Sequence, residues 1–154
     1  MTVYYKKLEE DAIVPKQENF GDAADLFSVE DVAIEPGEAA VVRSGIALQT
    51  LAFQKQNAIG FFYRIWMTPR SGLAAKNYIT LLNTPGLIDP SYTGELRAIM
   101  YNSGKETYLV KKGDKIAQLS FERVQLEDAK INFETTEELL DTTRGSGGFG
   151  STGR

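Results

Sequence analysis

The 154-residue chain contains no cysteine and no histidine. Without cysteine there is no disulfide, no thiolate nucleophile and no zinc–sulfur site. Without histidine there is no Ser-His-Asp or Cys-His catalysis, no histidine general base and no histidine metal ligand. An enzyme built from this sequence must move protons with Asp, Glu, Lys, Tyr or water. Any metal must be held by oxygen, which favours magnesium or calcium. A basic excess is also missing: 17 basic and 21 acidic residues give a net charge of −4, unlike a typical nucleic-acid binder. No apolar run approaches the roughly 18 residues of a membrane helix. Met1 to Glu10 is too polar for a signal-peptide core. These absences predict a cytoplasmic protein, or one made in a host-cell interior, with no membrane or nucleic-acid partner.

What is present reads as one globular domain of ordinary composition, with 42% hydrophobic and 25% charged residues. The pattern is strand-like nearly throughout. Asp31 to Arg43 predicts two short strands joined by a turn at Pro36-Gly37. Phe61 to Met67, Tyr78 to Leu82, Glu95 to Tyr101, Thr107 to Val110 and Ile116 to Phe121 predict further strands, the last two separated by a turn at Lys112-Gly113-Asp114. Short strands with Gly, Pro, Asn and Asp between them imply an all-β sandwich, jelly roll or barrel. Arg70 to Asn77 has room for one or two helical turns. No segment holds a helical period for longer.

Glycine is unevenly spread. Five of the fourteen glycines lie between Gly145 and Gly153. The sequence divides into a β domain over residues 1–143 and a glycine-rich arm over residues 144–154. The arm has one apolar side chain, Phe149, too little to order itself by burial. One reading is a frayed terminus. The other is phosphate binding. Gly145 to Gly150 has the glycine frame of a phosphate-cradling loop, without its lysine. Ser151 and Thr152 add hydroxyl donors, Arg144 adds a bidentate fork and Phe149 offers a face for a base.

Three other segments can carry chemistry. Pro69-Arg70-Ser71-Gly72 sets a guanidinium, a hydroxyl and a glycine N–H side by side after a strand. Gly86 to Gly94 carries Asp89 behind the apolar pair Leu87 and Ile88. Asp89 is either a general base or part of an Asp-Pro turn capping a hairpin. Asn83 offers an amide upstream and Tyr92 a flat face downstream. Gln118 interrupts an apolar strand pattern, so it either faces solvent or points into a site.

In order, these segments resemble the five motifs of the homotrimeric dUTP pyrophosphatases. The first is Gly21-Asp-Ala-Ala-Asp-Leu-Phe-Ser28 and the second Pro69-Arg-Ser-Gly-Leu-Ala74. The third is Gly86-Leu-Ile-Asp-Pro-Ser-Tyr-Thr-Gly94 and the fourth Gly113-Asp-Lys-Ile-Ala-Gln-Leu119. The fifth runs from Arg144 to Gly153. The fourth has Lys115 where arginine is commoner. Leu51 to Phe62 is longer than usual and predicts a distinctive surface loop.

The resemblance implies a jelly-roll-like β-sandwich forming a homotrimer, with active sites shared between subunits. It implies hydrolysis of dUTP to dUMP and pyrophosphate with magnesium. By position in the motifs, Asp89 activates the attacking water. Tyr92 stacks under the deoxyribose. Asn83, Gly86, Leu87, Ile88 and the chain around Arg97 read the uracil. Arg70, Ser71, Gly72 and Gln118 hold the phosphates, and Asp25 supports magnesium through water. Arg144, Gly150, Ser151 and Thr152 belong to the closing arm, and Phe149 covers the base. Two alternatives remain from the sequence: a dCTP deaminase of the same fold, and a binding protein using that fold to hold an unknown protein partner.

Overall fold

The computed structural model describes residues 2–18, 21, 23–49, 61–89, 91–125, 133–136 and 138. Among the described residues, eleven strands and one short helix follow along the chain. They are β1 (Tyr5–Lys7), β2 (Lys16–Gln17), β3 (Ala23–Phe27), β4 (Val32–Ile34), β5 (Ala39–Leu48) and β6 (Phe61–Thr68). After α1 (Ser71–Asn77) come β7 (Ile79–Leu81), β8 (Gly86–Ile88), β9 (Glu95–Asn102), β10 (Tyr108–Val110) and β11 (Lys115–Gln125). One sheet has the order β2-β3-β11-β6-β8 and another β1-β5-β9-β7, while β4 pairs with β10. Every pairing is antiparallel, as the predicted all-β sandwich requires.

Alternation fixes which side chains enter the core. In β9, Leu96, Ala98, Met100 and Asn102 are buried while Arg97 is exposed. In β5, Val42, Ser44, Ile46 and Leu48 are buried. The apolar members of both strands meet Leu26, Ile65, Met67, Ile116 and Leu119 of the other sheet in one core. Each such aliphatic side chain contributes about 1.5–3 kcal/mol. The β5–β9 register shifts between Arg43 and Ala47. Gly45 makes this possible: its φ is 67°, and a Cβ there would lie 2.8 Å from the Ala12 Cβ.

All the strands expected from the sequence form, with shifted ends. The second strand of Asp31–Arg43 runs on to Leu48. The turn at Pro36-Gly37 forms, but its flanking strands are not partners: β4 pairs with β10, and β5 with β1 and β9. The turn is a corner between sheets. The Asp89 turn also departs from the hairpin reading. Its Tyr92 N–H donates to the Asp89 carbonyl at 2.9 Å, yet β8 pairs with β6, and β9 with β5 and β7. It passes the chain from one sheet to the other. Phe61 and Phe62 of the expected loop belong to β6, and residues 51–60 lie outside the described residues. β1, β2, β3 and β8 are additional to the expected strands.

The helix begins at Arg70, whose backbone is extended. It ends at Tyr78, whose φ of 58° is left-handed and whose N–H bonds back to Leu73 and Ala74. A left-handed backbone at a residue with a Cβ costs about 1–2 kcal/mol.

Candidate active site

A pocket of about 290 Å³ opens where β8, the Asp89 turn and the start of β9 converge. Asn83, Gly86, Leu87, Ile88, Asp89, Tyr92 and Arg97 all line it. These are the residues predicted to read the base and sugar, except Phe149, which lies outside the described residues. Met67 lies behind Gly86, as their pairing in the sheet dictates. Gly86 is buried, and a Cβ there would meet the Asn83 amide nitrogen at 3.4 Å and the Met67 Cβ at 3.6 Å. Asp89 is exposed at the mouth.

Tyr92 folds back over Gly94. A Cβ at Gly94 would stand 2.6 Å from the Tyr92 hydroxyl, so only glycine lets the ring lie there. The hydroxyl donates to the Glu95 carbonyl at 2.8 Å. Glu95 itself lines the pocket and is 7% exposed. Its carboxylate accepts from Arg97 Nε at 2.9 Å, Arg43 Nε at 3.2 Å and the Gly45 N–H at 2.9 Å. Burial alone would raise its pKa. The Gly45 N–H and the two guanidinium groups outweigh burial and hold the carboxyl below its ordinary value. Arg43 also pairs with Glu9, which ties the N-terminal segment to the pocket wall. Sequence reasoning missed Glu95. The available signal was its spacing from Arg97: two apart on a strand, the pair shares a face.

A second group forms around Asp25 on β3. Asp25 faces Gln118 of β11, and Gln118 faces Thr68 at the end of β6. This register carries the chain directly to Pro69 and Arg70. Arg70 Nε lies 3.0 Å from Asp25 Oδ1. That nitrogen is buried without an aligned hydrogen-bond acceptor, so the contact is one of charge. Lys115 Nζ lies 2.9 Å from Asp25 Oδ2 and 3.0 Å from Glu18 Oε1. Asp25 first, and then Glu18, raise the Lys115 pKa and keep it charged. Gln118 is half-buried, with its amide nitrogen 3.5 Å from Asp25 Oδ1. It points into the cluster, the second of its two readings. Ser71 and Gly72 are exposed at the start of α1. Lys115, noted in the sequence only as standing where arginine is commoner, was given no role there.

Neither oxygen of Asp25 is free of a cation. Among the described residues no three acidic side chains gather as a metal cage. The donor set fits magnesium only in the form Mg²⁺ favours, with several retained waters and one or two carboxylates. Asp25 would face such an ion through water.

None of Asp25, Arg70, Ser71, Gly72 and Gln118 lines this pocket. Three strand spacings separate β3 from β8 in the sheet, or about 14 Å. Arg144, Phe149, Gly150, Ser151 and Thr152 lie outside the described residues.

Residues 10–153 match the dUTPase family model. The chain is 44% identical over 149 residues to a deoxyuridine 5'-triphosphate nucleotidohydrolase of Clostridioides difficile, covering 96% of this chain and 95% of the relative. It is 42% identical to the enzyme of the same name from Nautilia profundicola, over the full length of both. Among solved structures, a mutant dUTPase of phage 80alpha superposes with a TM-score of 0.78 at 25% identity, covering 97% of this chain and 98% of that one. The Staphylococcus bacteriophage 80alpha dUTPase with dUPNHPP gives a TM-score of 0.75 at 26% identity, covering 99% of each. Five ordered motifs, an all-β sandwich of the same form and near-complete coverage by relatives lead to one conclusion: the chain belongs to the dUTPase family.

Proposed function

We infer that the protein hydrolyses dUTP to dUMP and pyrophosphate. The observation that carries this reading is the pocket that gathers Asn83, Gly86–Ile88, Asp89 and Tyr92 in a chain of this family. Its 290 Å³ is at the bottom of the usual range for ligand pockets, about 300–1,000 Å³. That suits a pyrimidine nucleoside rather than a whole triphosphate. Asn83 and the backbone of Gly86 to Ile88, beside Arg97, read the uracil edge. The Tyr92 ring lies under the deoxyribose.

The phosphates then need a second group of residues. Arg70, Ser71, Gly72 and Gln118 supply cation and donors. Asp25 orients Arg70 and would hold magnesium through water. When bound, magnesium neutralises phosphate charge. Asp89 orients a water toward the α-phosphorus and takes its proton. The new bond joins the water oxygen to the α-phosphorus, the bridge to the β-phosphate breaks, and pyrophosphate leaves. Positioning and charge neutralisation dominate such chemistry, so a protein without histidine or cysteine can perform it. Arg144, Ser151 and Thr152 grip the γ-phosphate, with Gly150 in the same loop, and Phe149 covers the base as the arm closes.

The same reading includes a homotrimer, which the family resemblance implies and an exposed apolar rim on the pocket supports. The nucleoside pocket and the phosphate group lie apart within one chain. Val41 and Leu87, on the pocket lining, are 53% and 54% exposed, and Leu82 beside Asn83 is 60% exposed. A second copy covering this apolar rim would bring its own Asp25–Arg70 group to the pocket. The test is pyrophosphate release from dUTP, dCTP, dTTP and UTP, with and without magnesium, alongside the mass in solution. Pyrophosphate from dUTP alone, from a trimer, is expected. Ammonia from dCTP would instead support the deaminase.

A further inference from the structure

A second cavity, of about 570 Å³, lies at the C-terminal end of α1. It is formed by Lys76 to Tyr78 and by the β9–β10 connection from Ser103 to Tyr108. None of these residues belongs to the five motifs or lines the first pocket.

The walls are tied together. The Ser103 N–H and hydroxyl both donate to the Tyr78 carbonyl, at 3.0 and 2.8 Å. Buried Asn102 braces the loop through the Glu106 carbonyl and the Gly104 N–H. Two cations stand in the lining without a carboxylate partner among the described residues, Lys76 and Lys105. By contrast Lys111, Lys112 and Lys115 are each paired. Two aromatic residues also line the cavity, Tyr78 and Tyr108. Tyr78 is 62% exposed and is held at positive φ. A glycine would cap the helix there without strain, so the cap does not need the ring. Glu106 is the only acidic lining residue, which leaves the lining with a net positive charge.

We propose that this cavity is a second, non-catalytic nucleotide site. The base stacks on the exposed Tyr78 ring, as bases do on exposed aromatic side chains, while half-buried Tyr108, packed against the core, offers only part of its ring. The phosphates lie between Lys76 and Lys105. The volume is about twice that of the nucleoside pocket, room for base, sugar and phosphate together. An acidic peptide would use the lysines and leave both rings idle.

The test uses the full chain with its catalytic sites saturated by a non-hydrolysable dUTP analogue. ATP, dTTP and inorganic tripolyphosphate are then titrated by calorimetry. At least one nucleotide is expected to bind at one further equivalent per chain. The Lys76→Ala/Lys105→Ala double variant should weaken it tenfold or more. Tyr78→Gly should weaken it comparably while raising or preserving thermal stability, since the helix cap loses strain. Hydrolysis of dUTP without added nucleotide should be unchanged in both variants. Absence of a second equivalent for both nucleotides, or unaltered binding in both variants, overturns the proposal. Tripolyphosphate binding as tightly as either nucleotide also overturns it, because the site would then read charge alone.

Discussion

The Tyr92 hydroxyl is anchored to the backbone three residues on, donating to the Glu95 carbonyl at 2.8 Å. The Glu95 side chain is in turn clasped by Arg43, Arg97 and the Gly45 N–H. The ring assigned to sugar recognition thus hangs from a residue whose side chain is itself held by three hydrogen bonds. Its position relative to β9 is set before any nucleotide arrives. Preorganisation of this kind discriminates by contact, because the ring does not yield to an added atom.

Sugar selectivity should follow the ring. Tyr92→Ala is expected to narrow the preference for dUTP over UTP by about 1–3 kcal/mol, the usual cost of stranding a buried hydroxyl. Tyr92→Phe should keep most of the preference while losing one hydrogen bond, about 0.5–1.5 kcal/mol of stability. Competition assays with both nucleotides measure the ratio, and denaturation measures the stability. An unchanged ratio in the alanine variant removes Tyr92 from sugar recognition.

Asp89→Asn removes the proton acceptor and keeps the shape. Loss of a general base typically costs about 10²–10⁴ in rate. Binding of dUTP should be nearly unaffected, because pocket contacts remain. Single-turnover kinetics and a parallel titration separate the two quantities. A variant retaining more than half of wild-type turnover would rule out the assignment.

Deleting the chain after Thr143 should leave thermal stability nearly unchanged. The last strand among the described residues ends at Gln125, and the deleted arm has one large apolar side chain to lose. Turnover should nevertheless collapse, because the γ-phosphate loses Arg144, Ser151 and Thr152 and the site stays wet. Melting curves and pyrophosphate release on the truncated protein check both halves. Normal hydrolysis would show that the arm is not catalytic.

Asn102 should be costly to replace. It is fully buried at the end of β9. Its amide donates to the Ile34 and Glu106 carbonyls, both at 2.8 Å, and its oxygen accepts from the Gly104 N–H at 2.8 Å. Asn102→Ala strands three backbone groups, at about 1–3 kcal/mol for each that stays dry. Urea denaturation should show a loss of at least about 2 kcal/mol, with dUTP turnover retained at low temperature.

The strands with clear alternation were legible, and their partners were not. Phe61 to Met67 and Glu95 to Tyr101 announce themselves by period. Nothing in Lys16–Gln17 or Gly86–Ile88 does, because those strands are short and one opens with glycine. Pairing depends on contacts far along the chain. The turn at Pro36-Gly37 therefore reads as a hairpin and folds as a corner. The site residues in glycine-bounded motifs were legible by resemblance. Glu95 was not. It is a carboxylate on the same face of β9 as exposed Arg97, and burial there requires Arg43, which is 52 residues away. Only the fold brings that guanidinium near.

Glu95 also gives the protein an acid-sensitive joint. Its folded-state pKa is held below the ordinary 4.5. As pH falls, the unfolded chain therefore takes up this proton before the folded one. The stabilisation is complete above the ordinary value and is lost as pH falls through the lower, folded value. The Glu95→Gln variant cannot ionise at this position. At neutral pH it should be less stable by roughly 1–3 kcal/mol, the scale of hydrogen bonds to a charged group. The effect stays modest because Arg43 and Arg97 are 37% and 54% exposed, and water takes over part of their solvation. In acid the two proteins should converge, since a protonated Glu95 and the glutamine that replaces it are both neutral. Glu18, Asp31 and Glu122 are also held low, but they are common to both proteins and cancel in the difference. Urea denaturation of both from neutral pH down to about pH 3, within the usual carboxylate range, measures the gap. A gap that stays constant across that range would show that the carboxylate's charge contributes nothing and that only its shape matters.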